Sequence, residues 1–366
     1  MKEYYNPVNV ISTADWIKEC KKYLDALGIR NPIIITSKGT LERLELGVVF
    51  NESPVYYDIS PNPTFVSTKK ALDFCRDLKC DGVIAIGGGS VMDTAKVVMA
   101  AKGTGIYAVG DLLDITGKYS NRVSAIFIPT THGTGSEVTK WGTLWDMEEK
   151  KKNSIAHPDL YPDIAILDAS LTLSLALDIS LTTALDALSH SFEAIWNKNA
   201  NPRSTEYAIE SICLVCDNVN ILKNDLYDLQ VRQNLLKASN IAGMAFSNTK
   251  TAASHSIGYP LTAHFGIPHG IASSLTLVPL LKRNGPYIKH ELEDITNRLK
   301  LSNTDEIAEL ILSIPSPVIK FDLRGWGVSY EDLDWLTPLC FARDRMGNNI
   351  TELSESDVRL ILEEIL

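Results

Sequence analysis

The feature that most constrains this chain is a run of three glycines, Gly87–Gly89, placed between a strand-like apolar segment and a helix-like segment. An uninterrupted apolar segment of this kind is typical of a strand buried on both faces of a parallel sheet. The same rhythm fills the first half of the chain, with strand-like runs at residues 31–37, 53–60, 81–90 and 123–131 and helix-like runs at 63–80 and 91–103. The alternation predicts an α/β fold with a parallel sheet covered by helices on both faces.

The second half of the chain has a different pattern. Strand signals fade, and apolar residues recur at helical spacing. We therefore predict a second, all-helical domain whose boundary falls between Asp168 and Ser180, and we divide the chain into domains 1–175 and 176–366. The charge run at residues 147–154 is predicted to be a solvated turn.

Composition and charge exclude several classes of function. The 366 residues carry a net charge of −10 and a pI of about 5.3, whereas binding to nucleic acid or an anionic membrane needs a basic surface. The N-terminal sequence lacks the apolar core of a signal peptide, and no apolar run reaches the ~18 residues of a membrane span. Six scattered cysteines favour reduced thiols over a disulfide framework. We expect a cytoplasmic protein that acts on a small molecule.

Two glycine-containing loops indicate a nucleotide site. Gly87–Ser90 opens a helix, where glycine lets the backbone approach a pyrophosphate and the helix N-terminus supplies N–H donors. The spacing differs from the GxGxxG fingerprint, so a plain tight turn is the alternative. Pro129–Glu137 follows another strand and is dense in hydroxyls and glycine; its alternative is a helix-capping turn. Two such loops at strand ends together favour the ligand hypothesis.

The histidines suggest a metal site. Asp186 and His190 stand four residues apart, so one helix face presents both. His255 and His269 are separated by fourteen positions, and Pro268 predicts a loop before the second. One carboxylate and three imidazoles suit a divalent first-row metal, although each histidine taken singly is more often a core or surface residue.

Together these motifs resemble the iron-containing (group III) alcohol dehydrogenase family over nearly the whole chain. The resembling segments, in order, are GGGSVMDTAK at 87–96, PTTHGTGSE at 129–137, DALSH at 186–190 and the two later histidines. The resemblance implies a Rossmann-like N-terminal domain, a helical C-terminal domain, a metal-dependent hydride transfer with NAD(P), and a homodimer. The metal is expected to be Fe²⁺, with Zn²⁺ and Mn²⁺ as alternatives.

The resemblance also assigns roles to individual residues. The implied metal ligands are Asp186, His190, His255 and His269. The implied cofactor contacts are Gly88, Gly89, Ser90, Asp93, Thr130, Thr131, Thr134, Thr139 and Lys152.

Two positions depart from the family pattern. Many members carry a further histidine, for proton relay, where this chain has Tyr259; the tyrosine hydroxyl, a water or His264 are the alternatives. NAD-preferring members carry an acidic residue after the first strand, where this chain has Ser37 followed by Lys38. A carboxylate would repel the 2′-phosphate of NADP, and serine and lysine would accommodate it. We therefore predict that NADPH is accepted, with NADH as the alternative.

Substrate candidates are His132, Trp141, Phe246, Arg343 and Arg345. Arginine's planar fork suits a phosphonate, sulfonate or carboxylate. The set resembles the subgroup that reduces phosphonoacetaldehyde or sulfoacetaldehyde to hydroxyethyl products. The alternatives are a broad short-chain alcohol or diol dehydrogenase with a neutral pocket, a lyase resembling dehydroquinate synthase, and a non-enzymatic nucleotide- or metal-binding regulator.

Overall fold

The computed structural model describes residues 3–366, apart from the side chains of residues 343 and 344. Internal contacts divide the chain into two compact units. The α/β unit comprises Asn6–Thr131 and Ser136–Thr172. The helical unit comprises Leu173–Leu366, the N-terminal segment that ends at Tyr5, and His132–Gly135.

The α/β unit contains all the strands of the described residues and five of their α-helices. The strands are β1 (Asn9–Ser12), β2 (Pro32–Thr36), β3 (Val55–Tyr56), β4 (Gly82–Gly87), β5 (Ser124–Pro129), β6 (Trp141–Asp146), β7 (Lys151–Ala156) and β8 (Ile164–Leu167). The helices are α1 (Trp16–Leu27), α2 (Lys38–Arg43), α3 (Leu46–Val49), α4 (Phe65–Cys75) and α5 (Gly89–Thr104).

The helical unit contains eleven α-helices within the described residues. They are α6 (Leu177–Ile195), α7 (Pro202–Asn224), α8 (Leu229–Thr249), α9 (Ala253–Phe265), α10 (His269–Ser274), α11 (Leu277–Asn284), α12 (Lys289–Arg298), α13 (Asp305–Ser313), α14 (Leu333–Leu339), α15 (Arg343–Met346) and α16 (Glu355–Glu364). Buried aliphatic residues of α6, α7, α8 and α9 form one continuous core with those of the later helices.

Six strands form one parallel sheet in the order β1-β8-β5-β4-β2-β3. Successive side chains of a strand point to opposite faces, which explains the unbroken apolar runs. Ile33 and Ile35 belong to the core shared with α4 and α5, whereas Ile34 belongs to the core shared with α1. The predicted α/β fold with a Rossmann-like sheet and a helical C-terminal part is confirmed.

The register of the sheet sets where the loops emerge. Thr36 pairs with Ile86, and Gly87 pairs with Pro129, so β2, β4 and β5 end at one edge. The Thr130 N–H donates to the Gly87 carbonyl at 3.0 Å and extends the pairing by one residue. The three loops that follow these strands therefore start side by side.

Two predicted segments differ from the structure. The strand expected at 53–60 is reduced to the two residues of β3 at the sheet edge, because only Val55 and Tyr56 pair with β2. The turn expected at 147–154 ends at residue 150, and β7 begins at Lys151. Pairing with the aromatic strand β6 draws this charged segment into an antiparallel hairpin, which the charge run alone did not indicate.

The segment His132–Gly135 packs within the helical unit through a buried polar cluster. His132 is fully buried, with Thr183 Oγ1 at 3.1 Å from Nδ1 and Arg232 Nη1 at 3.3 Å from Nε2. Arg232, also fully buried, donates to Ser180 Oγ at 2.7 Å and to two backbone carbonyls. Burial and the adjacent guanidinium lower the pKa of His132 to about 3, so the ring is neutral and its Nε2 accepts from Arg232.

Gly135 makes the closest backbone approach of this segment. Its φ is +54°, and a Cβ there would lie 2.5 Å from Gly243 Cα and 2.7 Å from the Ser239 carbonyl oxygen of α8. We expect Gly135→Ala to lower the unfolding free energy by about 3 kcal/mol or more, because backbone atoms must move. Gly105→Ala is the matched control: its φ is +74°, with no heavy atom within 4 Å, so only about 1 kcal/mol of backbone strain applies. Equal losses in thermal unfolding would contradict this packing.

Candidate metal and cofactor sites

The glycine loop after β4 forms an open helix N-terminus. Gly88 is the N-cap of α5 and has no side chain with which to cap the helix. A Cβ on Gly88 would lie 3.2 Å from Thr131 Cγ2, so the two glycine-containing loops are in contact. Ser90 is half-buried, and its hydroxyl accepts the Asn62 N–H at 3.2 Å. The arrangement offers N–H donors and a helix dipole to an anionic group such as a pyrophosphate.

The third loop at this edge begins at Ser37. Its hydroxyl accepts the Thr40 N–H at 3.3 Å and so caps α2, while Lys38 is exposed. Thr130 is buried beside Gly87 at the end of β5. The structure therefore brings Ser37, Gly88 and Thr130 to one edge of the sheet, and their cofactor roles stay predictions.

A buried lysine organises the segment that follows the second loop. Lys96 on α5 is fully buried, and its Nζ lies 2.7–2.8 Å from four oxygens that share its three N–H donors: Ser136 O and Oγ, Thr139 Oγ1 and Trp141 O. Burial lowers the pKa of Lys96 to about 8, opposed by the Asp93 and Glu137 carboxylates. The ammonium is thus charged at pH 7 and holds the chain that carries two predicted site residues, Thr139 and Trp141.

Asp93 and Lys152 lie in the same polar cluster. Asp93 accepts from Ser136 Oγ at 3.1 Å, and burial raises its pKa while Lys96 and Lys152 oppose the shift. Lys152 stands on β7 opposite Trp145, with Nζ 5.7 Å from that ring centroid. Lys152, the residue of the charge run that the resemblance makes a cofactor contact, is close enough to Asp93 for its charge to lower the pKa of that carboxyl group. Its cofactor role stays a prediction.

Three of the four predicted metal ligands meet in the helical unit. Asp186 Oδ1 lies 3.8 Å from His255 Nε2 and 4.0 Å from His269 Nε2, and the three ligand atoms all lie within 4.8 Å of one another. Ser273 Oγ donates to the same Asp186 oxygen at 3.2 Å. His269 is the first residue of α10, because the chain leaves the helical conformation after α9 at Gly266, as Pro268 predicted.

These residues fit a divalent first-row ion. An ion with ligand bonds of about 2.0–2.2 Å holds two ligand atoms roughly 3–4 Å apart, which the Asp186 and histidine distances match. The donor set of carboxylate and imidazole suits Fe²⁺, Zn²⁺ or Mn²⁺. Asp186 and His255 are almost fully buried, whereas the His269 side chain is 23% exposed, so the cluster has an accessible side.

His190 lies beside this cluster but is not one of the three grouped ligands. Its ring stacks on His255, with centroids 4.6 Å apart, and on Phe246 of α8, with centroids 4.1 Å apart. Phe246 is 4% exposed. The Phe246 ring therefore packs against His190 and supports its orientation. The ligand role of His190 and the substrate role of Phe246 stay predictions.

Tyr259 and Arg345 adjoin the cluster on another side. Arg345 Nε donates to the Tyr259 hydroxyl at 2.7 Å, and the guanidinium carbon lies 5.0 Å from the Tyr259 ring centroid. The Tyr259 ring in turn stacks on His269 at 6.0 Å. The Arg343 side chain is outside the described residues, His132 is buried as above, and Trp141 belongs to the α/β unit.

Glu193 is the buried site residue that sequence reasoning missed. It follows Asp186 and His190 on α6, and its carboxylate Oε2 lies 2.5 Å from His255 Nδ1. Burial raises the pKa of Glu193, opposed by backbone N–H groups around His255. The signal was present as a third ionisable residue, seven positions after Asp186 and on the same face of the helix as Asp186 and His190.

Comparisons with known proteins identify the class. Residues 7–169 match the family described as iron-containing alcohol dehydrogenase, and residues 180–366 match its C-terminal family. The long-chain-alcohol dehydrogenase 1 of Geobacillus thermodenitrificans is 33% identical over 322 residues, covering 84% of this chain and 81% of that protein. The chain belongs to the iron-containing alcohol dehydrogenase family.

Two further relatives bear on the substrate. The phosphonoacetaldehyde reductase of Streptomyces viridochromogenes is 33% identical over 218 residues, covering 57% of this chain and 54% of that protein. The sulfoacetaldehyde reductase of Bifidobacterium kashiwanohense, solved with NAD⁺, superposes with a TM-score of 0.90 at 27% identity, covering 100% of this chain and 98% of that one. The predicted family and NAD-linked oxidoreductase class are confirmed.

None of the described helices has the length and apolar character to cross a membrane.

The Lys96 cluster gives a stability prediction. Lys96→Met should lower the unfolding free energy by about 3–5 kcal/mol, since it leaves the nearby carboxylates and four buried acceptors without the ammonium. Lys102→Met on the same helix is the control, because Lys102 is only partly buried and donates chiefly to the Leu78 carbonyl. Thermal unfolding compares the two, and a similar small loss in both would rule out the buried network.

The same variant carries a pH dependence. Because burial depresses the pKa of Lys96 from 10.5 to about 8, the unfolded chain binds more protons than the folded one between these values. The stabilising effect of Lys96 is therefore greatest above pH 10.5 and falls as pH drops through 8. As pH rises from 8 to 10.5, the unfolding free energy of wild type should therefore increase relative to that of Lys96→Met, as measured by unfolding at each pH. A difference between the two proteins that does not change with pH would contradict this prediction.

The cluster of Asp186, His255 and His269, which we call the metal cluster, gives a prediction about metal binding. We expect Asp186→Ala to weaken binding of one divalent ion per chain by more than about 100-fold, since changes outside the ligand set alone cost 10–100-fold. Asp178→Ala, an exposed carboxylate in the first turn of the same helix, serves as control and should bind normally. Equilibrium titration of metal-free protein against a competing chelator measures both, and unchanged affinity in Asp186→Ala would remove this site.

Proposed function

We propose that this enzyme reduces short aldehydes with an anionic tail, such as phosphonoacetaldehyde or sulfoacetaldehyde, to the corresponding alcohols. The observation that carries the proposal is the series Arg345, Tyr259, His269: one aromatic ring separates a guanidinium from a metal ligand. A carbonyl oxygen at the metal cluster and an anionic group at Arg345 would then belong to one short molecule. The Tyr259 bond orients the guanidinium, whose planar fork suits phosphonate or sulfonate.

The chain's own residues divide the work. Asp186, His255 and His269 would hold the ion, and His190 is proposed as a fourth ligand. A bound divalent ion supplies Lewis-acid stabilisation of the negative charge that grows on the substrate oxygen during hydride transfer. The Tyr259 hydroxyl accepts from Arg345, so its own proton is the one it can offer to the developing alkoxide.

The cofactor is proposed to lie along the loop edge of the sheet. The open N-terminus of α5 at Gly88–Ser90 would take the pyrophosphate. No carboxylate stands at Ser37 to repel a 2′-phosphate, and exposed Lys38 would attract it, which supports acceptance of NADPH as well as NADH. The iron, the homodimer and the cytoplasmic location expected from the resemblance stay predictions.

The names of the relatives support both leading candidates. Phosphonoacetaldehyde and sulfoacetaldehyde reductases favour an anionic substrate, whereas the long-chain-alcohol dehydrogenase favours a neutral pocket. The arginine beside the metal cluster decides our choice, because a partly buried guanidinium favours an anionic group over a neutral alcohol in the same pocket. A broad alcohol or diol dehydrogenase is the second candidate.

A substrate panel tests the proposal. Protein loaded anaerobically with Fe²⁺ is assayed with NADH and NADPH on phosphonoacetaldehyde, sulfoacetaldehyde and propanal. We expect an anionic aldehyde to exceed propanal by about 100-fold in kcat/KM, equivalent to roughly 2.7 kcal/mol of transition-state binding. Arg345→Gln should remove most of that preference, while Arg298→Gln, an exposed arginine paired with Asp294, should keep it. Propanal reduced as well as the anionic aldehydes would favour the second candidate.

A further inference from the structure

The carboxylate of Glu193 connects two helices of the helical unit at the metal cluster. Asp186, His190 and Glu193 occupy positions i, i+4 and i+7 of α6, so one helix face carries all three. Glu193 is fully buried, and a buried carboxylate persists only where donors compensate its lost hydration. The donors that the described residues supply lie at the start of α9.

The first donors are backbone groups. Oε1 accepts the His255 N–H at 3.0 Å, and the backbone N–H groups of Ala252 and Ser254 add favourable electrostatics that lower the pKa of this carboxyl group. The N-cap of α9, Ala252, has no side chain that could satisfy these first-turn N–H groups. Glu193 therefore caps α9 from a different helix and fixes where His255 stands.

The other oxygen fixes the ring. Oε2 lies 2.5 Å from His255 Nδ1. The backbone N–H groups on the other oxygen favour the ionised carboxylate, and an ionised carboxylate can only accept, so the hydrogen between the two atoms belongs to Nδ1. The neutral ring then carries its lone pair on Nε2, the atom 3.8 Å from Asp186 Oδ1. Backbone and ring of one residue are thus oriented by one carboxylate.

We propose that Glu193 is a positioning residue of the metal site, which selects the Nδ1–H tautomer of His255 and so makes Nε2 a ligand atom. The inference rests on the proposed metal site. A carboxylate that accepts from the distal nitrogen of a ligating histidine also raises the basicity of the ligating nitrogen, and losing it typically weakens metal binding by about 10–100-fold.

The test uses Glu193→Gln, which keeps the size of the side chain. If its amide oxygen stays on the backbone N–H groups, its NH₂ faces Nδ1 and donates, so the ring proton moves to Nε2. We expect metal affinity to fall about 10–100-fold in chelator competition with Zn²⁺ or Fe²⁺. Histidine ¹⁵N spectra of metal-free protein should show His255 as the Nδ1–H tautomer in wild type and altered in the variant.

Asp228→Asn is the matched control. Asp228 caps α8 by accepting the Val231 N–H at 3.0 Å, so this change likewise replaces a helix-capping carboxylate with an amide, away from the metal cluster. It should leave metal affinity and the His255 spectrum unchanged. Glu193→Asp, which retains a carboxylate, should recover part of the lost affinity and covers the case in which Glu193→Gln folds poorly.

The outcomes are distinct. A Glu193→Gln protein that binds metal as tightly as Asp228→Asn, with an unchanged His255 tautomer, would overturn the proposal and leave Glu193 as a helix cap only. A wild-type chain that binds no divalent ion would overturn the metal site itself. The tautomer of metal-free wild type decides separately whether Glu193 fixes the ring.

Discussion

Pairing of β4 with β5 is the constraint on which the placement of the predicted cofactor loops depends. The two strands run parallel with Gly87 opposite Pro129, and the Thr130 amide adds one more bond at the edge. Parallel register allows no independent placement of the two loops: once the strands pair, the Gly88 loop and the Thr130 loop must emerge together. Glycine at position 88 is what lets the loops touch, since Thr131 occupies the space of a side chain.

Buried charge is handled the same way in both units. Lys96, Arg232 and Glu193 are each fully buried. The two cations are surrounded by hydrogen-bond acceptors, and the carboxylate is surrounded by donors. Lys96 and Arg232 donate mainly to backbone carbonyls and hydroxyls, and Glu193 accepts from backbone N–H groups and one imidazole. Satisfied networks of this kind offset the desolvation of a charge and allow only one arrangement of the segments they join. In each case the joined segments carry predicted site residues.

The sequence predicted the elements well where the pattern was strong. The strands around Ile34 and Ile84, the helix after the glycines and the helical second half all follow from apolar periodicity. The hairpin of β6 and β7 was not predicted. The charge run indicated a solvated turn, but from Lys151 onward this segment pairs with β6 as a strand. Glu193 was missed because a glutamate is common in helices, and only the folded structure shows that it accepts a backbone N–H group from the start of α9.

What the sequence by itself determined was the fold class, the family and the candidate ligands Asp186, His255 and His269, because periodicity and motif spacing are properties of the chain alone. Only the tertiary structure decided which side chains serve which neighbours. His132 was predicted from its motif to contact substrate, yet it is fully buried and contacts Arg232, which lies one hundred positions later in the chain. Glu193 and His255 are sixty-two positions apart and meet only when α6 packs against the start of α9. Contacts at such separations depend on helix packing, which no local pattern encodes.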